Sequence, residues 1–253
     1  VEKWDQLIET DKAPKVSNRE SMAQLLENEE QYIIKEAPVF IAAPVMFIPE
    51  KTVLNTFQVL DFLALQGITA AAVGAGKHSM SNGANLAFEK SAFIAVGGYQ
   101  GVDHIASGDD MFLMHKMKQT LSNRIGYLFH PNAIVRTKTM PTWNEFMMQR
   151  IRWSSKARFY DDTSIFWVLL LVYLYNFSFL IAILMGYYES FLIAIVFKTF
   201  FELYFLDPVA KFYFLQKELR YFILYQPIHI VYTLFAGFLG QIRTYTWKGR
   251  RVK

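Results

Sequence analysis

Ser164 to Gly186 is a run of 23 residues without a charge. At about 1.5 Å per residue as a helix, it is long enough to cross the roughly 30 Å hydrocarbon core of a bilayer. Backbone in hydrocarbon has to satisfy its own hydrogen bonds, so such a run is restricted to helix. Two further apolar segments follow. Ser190 to Leu206 carries Lys198 and Glu202, spaced i, i+4 on one helix face so that they can pair. Within a membrane such a pair faces protein or a water-filled path. Asp207-Pro208 is expected to end this segment. Phe222 to Gly240 is 19 uncharged residues containing Pro227 and His229, a kinked span by its pattern. Residues 161–253 are thus expected to form a membrane region with two to three spans (164–186, 190–206, 222–240) and a basic tail of Arg243, Lys248, Arg250, Arg251 and Lys253.

The charge distribution agrees with this division. The chain is 53% hydrophobic and 17% aromatic, and the excess gathers after Asp162. The net charge of +4 comes largely from basic residues at 150–158 and 243–253, beside the apolar segments. That placement predicts an integral membrane protein whose soluble, catalytic part faces the cytoplasm at an inner or plasma membrane. Membrane lipids are the implied partner, and nucleic acid is not. If both basic clusters lie on one side, the number of spans is even and one of 190–206 or 222–240 is interfacial or re-entrant; otherwise the tail lies outside. There is no cysteine, which excludes disulfides and thiol catalysis.

Residues 1–37 form a charged segment with a helical pattern that Ser21 is placed to cap, and no chemistry is assigned to it. PVFIAAPVMFIP (38–49) is a proline-bracketed apolar run, expected as one buried strand of a parallel sheet covered on both faces. Residues 52–65 have helical spacing, and 68–77, with Gly74 and Gly76, read as a flexible turn. Asn82-Gly83 signals a turn before Asn85 and the short strand LAF, and a helix over 89–96 is stopped by Gly97 and Gly98. Residues 104–119 read as an amphipathic helix opening on Asp109-Asp110, with Ser107 placed to cap it. An acidic pair there can simply complement the helix dipole, or present one carboxylate to a cleft as a general base. Strands at 125–129 and 133–137 flank a His130-Pro131-Asn132 turn. The five histidines show no metal-like spacing, so no metal ligand is assigned.

Met140 to Tyr160 concentrates unusual chemistry between the two parts. As a helix over 143–160 it places Gln149, Arg152, Trp153 and Lys156 on one face at i, i+3, i+4 and i+7. Trp143, Met147 and Ile151 form an apolar stripe roughly opposite. Such a helix suits a membrane surface, either presenting charge to an anionic group or lying under lipid headgroups.

GANLAF, GGY, GDD at 108–110 and QRIRW at 149–153 occur in this order, with the acidic motif about 40 residues ahead of the last. This set resembles the membrane-associated family 2 glycosyltransferases, including cellulose and hyaluronan synthase-like and ceramide glucosyltransferase-like enzymes. The resemblance implies an α/β fold, a partial GT-A (Rossmann-like) domain over 38–160 followed by a transmembrane α-helical region. It implies inverting transfer from a nucleotide sugar, a UDP-sugar foremost, to a lipid or glycan acceptor. Asp110 would be the catalytic base, with Asp109 standing where Glu is usual. Gln149, Arg152 and Trp153 would close the site, with Arg152 near the diphosphate and Trp153 near the acceptor; a planar, always charged guanidinium suits diphosphate. Asn85 would lie near the donor or acceptor cleft. Family members use Mg²⁺ or Mn²⁺ held by an upstream Asp-x-Asp, and residues 1–37 contain neither that motif nor the nucleobase-binding Asp. The expectation is therefore that 38–160 is the acceptor-side half, in a C-terminal fragment or a degenerate copy that is inactive without the donor half.

Overall fold

In the computed structural model, residues 38–77, 80–102, 108–121, 124–156, 163–242, 245–247 and 250–252 are described. The helix expected after Ser21, the Ser107 cap, residues 157–160 of the interfacial helix and Arg243, Lys248 and Lys253 of the tail lie outside them.

The apolar run at 38–49 is two strands and not one. β1 (Phe40–Ala42) and β2 (Val45–Phe47) flank Ala43-Pro44 and enter different sheets. Pro44 has no N–H to give a ladder, which forces the change of partner. β1 lies between β3 (Leu86–Phe88), antiparallel, and β4 (Ile125–Tyr127), parallel. β2 pairs in parallel with β5 (Val135–Thr137), Val45 opposite Val135. The sheets are mixed, not uniformly parallel. The first N–H after the break, that of Val45, donates to Gln66 Oε1 at 3.0 Å.

α1 (Val53–Gly74) opens at Thr52, whose hydroxyl accepts the Asn55 N–H at 3.1 Å. It runs straight through the stretch expected as a flexible turn. Ile68 to Val73 contains no proline, and its alanines are strong helix formers, so the preceding helix propagates until Gly76 takes φ +68°. α2 (Lys90–Ala95) stops at Gly97 and Gly98, both with positive φ, as the sequence predicts. α3 (Asp109–Leu121) begins on the acidic pair. After β4 a 3₁₀ turn at Pro131–Ala133 is capped by His130, whose Nδ1 accepts the Asn132 N–H at 3.2 Å. This turn shortens both flanking strands.

α4 (Trp143–Ser154) carries a reciprocal cap. The Thr142 hydroxyl accepts the Glu145 N–H at 3.2 Å and donates to the Glu145 carboxylate at 3.0 Å. α5 (Thr163–Leu184) and α6 (Tyr188–Phe212) follow. α6 does not stop at Asp207-Pro208 but passes through the proline for one more turn, along which Lys211 pairs with Asp207 at 2.6 Å. The short α7 (Gln216–Leu219) leads into α8 (Phe222–Ile242), and β6 (Tyr245–Trp247) pairs antiparallel with β7 (Arg250–Val252). Val53–Gly74, Ile165–Leu184 and Phe222–Ile242 are long and apolar enough to cross a membrane. The first is largely buried inside the protein, whereas the other two expose most of their surface, the pattern of a core helix in one case and of lipid-facing helices in the others.

Two cores result. Val39, Phe40, Ala42, Leu113, Met114, Met117 and Ile125 seal α3 onto β1 and β4. Val45, Met46, Phe47, Val59, Phe62 and Leu63 pack with Leu206, Ala210 and Tyr213. The C-terminal third of α6 is therefore part of the α/β core, while Val196, Phe197, Phe200 and Phe201 upstream remain exposed. Gly240 sets the distance between α8 and α4, because a Cβ there would run into Ser154 Oγ and lie 3.0 Å from the Ser155 nitrogen. A Gly240→Ala variant is expected to lose about 1–3 kcal/mol in thermal unfolding of the detergent-solubilised chain. Gly74→Ala, which meets nothing within 4 Å, is expected to be neutral or slightly stabilising.

Candidate functional site

The acidic pair and the C-terminal end of α4 come together. Asp110 sits in the first turn of α3, half-buried, with one carboxylate oxygen accepting the Gly83 N–H at 2.7 Å and the other its neighbour Met111 N–H at 2.8 Å. Asp109 is exposed beside it. Burial pushes the Asp110 carboxyl above its ordinary range; the Lys156 cation and the two N–H donors pull it down, and Asp109 adds to the rise. Burial thus outweighs the two donors and the nearby cation. A raised value makes the carboxylate a stronger proton acceptor.

Lys156 is buried just past α4. Its ammonium is depressed to about 8, mainly by burial, with Arg152 adding to the fall and Asp110 and Asp109 opposing it. Arg152 thus belongs to the same electrostatic cluster. Tyr99, which follows the Gly97-Gly98 stop, is raised by burial and then by Asp109 and Asp110.

Asn85 acts one step away. Its amide donates to the carbonyls of Pro44 at 2.8 Å and Ala133 at 2.7 Å, tying the β1–β2 break to the 3₁₀ turn. The loop at 82–85 is therefore pinned at one end by these bonds and at the other by Gly83 on Asp110. Gln149 Oε1 accepts from Arg150 at 2.9 Å. Trp153 packs its ring 6.3 Å from that of Phe62 and under the Arg150 guanidinium at 4.2 Å. Gln149 and Trp153 thus meet each other through Arg150.

Arg150 and Asp61 are absent from the sequence-based site. Arg150 lies between Gln149 and Arg152 in the motif, and its guanidinium reaches Asp61 of α1 at 2.5 Å, with both side chains almost fully buried. The Tyr232 hydroxyl of α8 donates to the other Asp61 oxygen. Phe57, Phe146, Trp143 and Tyr232 pack around this contact, mostly edge to face. α1 also grips the strand that leads into α4: the Gln58 amide exchanges two bonds of 2.9 Å with the Met140 peptide, and Asn55 bonds Thr139 at 3.0 Å. A signal for Asp61 was present, since it is the only charge within 53–74 and a lone buried carboxylate requires a partner.

Lys198 and Glu202 pair at 2.6 Å as their spacing predicts, and Gln226 of α8 completes a triad, accepting from Lys198 at 2.7 Å and donating to Glu202 at 2.6 Å. The triad fastens α6 to α8 well away from Asp110 in sequence.

The family model described as Glycosyl transferase family group 2 matches residues 31–239. No curated protein matches the chain, and no solved structure does.

Two measurements test this geometry. Asp61→Asn leaves the Arg150 charge buried and uncompensated and is expected to cost about 3–5 kcal/mol in denaturant unfolding, with the Asp61→Leu/Arg150→Met pair recovering most of it. Lys156 binds its proton more weakly folded, at about 8, than at its ordinary 10.5. The unfolded chain therefore holds more protons between these values, and stability rises with pH across that window. Between pH 8 and 10.5 the melting temperature is expected to climb in the wild type relative to Lys156→Met.

Proposed function

Because the chain belongs to glycosyl transferase family group 2, we propose that it moves a sugar from a UDP-sugar to a lipid or glycan acceptor at the cytoplasmic face of a membrane, with inversion at the anomeric carbon, on a GT-A-type domain. The observation that carries this reading is the half-buried, upward-shifted Asp110 carboxylate, fixed by the Gly83 N–H and flanked by Lys156 and Arg152. An acceptor hydroxyl oxygen attacks the anomeric carbon, the bond from that carbon to the diphosphate oxygen breaks, and Asp110 takes the hydroxyl proton. The leaving diphosphate gains negative charge, which Arg152 meets as a fixed, permanently charged donor. Asp109 extends the acidic edge. Trp153 and Gln149, braced on Arg150, hold the helix face the acceptor approaches, and Asn85 holds the loop that carries Gly83.

Glycosyltransferases of this family commonly use a divalent metal. Among the described residues no group of three or more His, Asp or Glu comes together to hold one. The described residues therefore do not fit such an ion by themselves, and no step above is routed through it.

The test is UDP release and sugar transfer by the detergent-purified chain against a panel of UDP-sugars, with UDP binding measured in parallel by calorimetry. Asp110→Asn is expected to lower turnover about 10²–10⁴-fold with UDP binding retained, whereas Arg152→Ala is expected to weaken UDP binding. Full activity in Asp110→Asn would remove Asp110 from the base role.

A further inference from the structure

We propose that Lys156 is a positioning residue for the transfer reaction: its ammonium, laid over Gly108 at the start of α3, sets the ionisation of the Asp110 carboxylate. The inference rests on Asp110 as the base.

The backbone at Gly108 is shaped to the lysine. Gly108 has φ +93°, and a Cβ there would stand 2.9 Å from Lys156 Cδ and 3.1 Å from Nζ. Glycine is thus demanded twice, by conformation and by the space the lysine stem occupies. The lysine is fixed in its turn. Ser154 Oγ donates to the Ala236 carbonyl of α8 at 2.6 Å, and Ser155 Oγ donates to the Arg152 carbonyl at 2.9 Å. Lys156 therefore leaves the end of α4 from a turn closed on itself by Ser155 and fastened to α8 by Ser154.

A buried ammonium needs anionic partners. The charged and titratable groups acting on it are Asp110 and Asp109 from α3 and Arg152 from α4, and Tyr99 faces the same two carboxylates. Arg152 opposes the lysine's charge, so among the described residues it is the two carboxylates that sustain it. The dependence is mutual. Two adjacent carboxylates, one of them desolvated, favour protonation of the buried member, and a cation beside it opposes that tendency without cancelling it. During transfer the acceptor proton passes to Asp110 and neutralises it.

The experiment is a carbon-13 NMR titration of the detergent-solubilised chain carrying carboxyl-labelled aspartate, with the Asp110 signal assigned by Asp110→Asn. In Lys156→Met the Asp110 midpoint is expected to rise by about one unit or more. Lys156→Arg, which keeps the charge and guards against a misfolded methionine variant, is expected to hold the midpoint near the wild-type value. It is also expected to abolish a second inflection near pH 8, where the wild-type lysine loses its proton. An unchanged midpoint in Lys156→Met, or an inflection near pH 8 that persists in Lys156→Arg, overturns the inference. UDP release from UDP-glucose and UDP-N-acetylglucosamine is followed over the same pH range, and its acid limb is expected to move with the midpoint. A midpoint that moves with neither donor turned over supports the role of Lys156 on Asp110 and tells against the transferase reading. Turnover with an unmoved midpoint keeps the transferase reading and sinks the role of Lys156.

Discussion

The ion pair between Asp61 and Arg150 is the constraint around which the molecule is assembled. Both groups are almost fully buried, and burial of either charge alone would cost several kcal/mol. α1 cannot settle into the core without α4 alongside it. The Tyr232 hydroxyl binds the same carboxylate, so α8 is drawn into the arrangement as well. Three helices far apart in sequence, one inside the α/β part, one at its edge and one long and apolar, are thus joined at a single carboxylate. The aromatic rings around Phe57 exclude water from the contact. That exclusion strengthens the attraction and makes loss of either partner costly.

The candidate site is built on the outer end of the same helix. Arg150 faces inward and holds α4 down, while Arg152 and Lys156 lie towards α3 and its acidic pair. A division of labour follows from helical geometry, since residues two apart on a helix point in widely different directions. One arginine supplies anchorage and the other adds its charge to the cluster of Lys156 and the acidic pair. The opposite wall is equally supported: Gly83 grips Asp110 from a loop whose far end Asn85 ties to two carbonyls. Donors and carboxylate are therefore held before any ligand arrives, the condition under which electrostatic stabilisation is most effective.

Much of this was legible in the sequence, for reasons that differ by element. The order and spacing of GANLAF, GGY, GDD and QRIRW were enough to select the family whose model matches the chain. The Lys198–Glu202 pair followed from i, i+4 geometry, although Gln226 did not, since nothing local announces a contact between distant helices. Pro44 could have divided the 38–49 run, but an apolar strand on each side of it disguised the break. The cap of α4 went unread, although Thr142 and Glu145 stand three residues apart at its start and bond each other there. Arg150 was hidden because its role depends on Asp61, 89 residues upstream. The longest misreading concerned α6. Asp207-Pro208 is a strong local stop, yet Leu206, Ala210 and Tyr213 bury so much apolar surface against β2 and α1 that tertiary packing carries the helix through the proline.

The continuity of α6 has a mechanical meaning. Its first two thirds present apolar side chains outward and its last third is wedged into the β2–α1 core. Gly67 of α1 leaves no slack there, since even a methyl group would come within 2.8 Å of Val209 and 3.0 Å of Phe205. A stiff rod whose far end is locked into close-packed side chains cannot tilt alone; it acts as a lever whose fulcrum is the edge of the α/β domain. Any displacement of the exposed two thirds of α6 thereby becomes a load on β2, and through the Val45–Gln66 bond on α1, which in turn holds α4 by the Asp61–Arg150 pair.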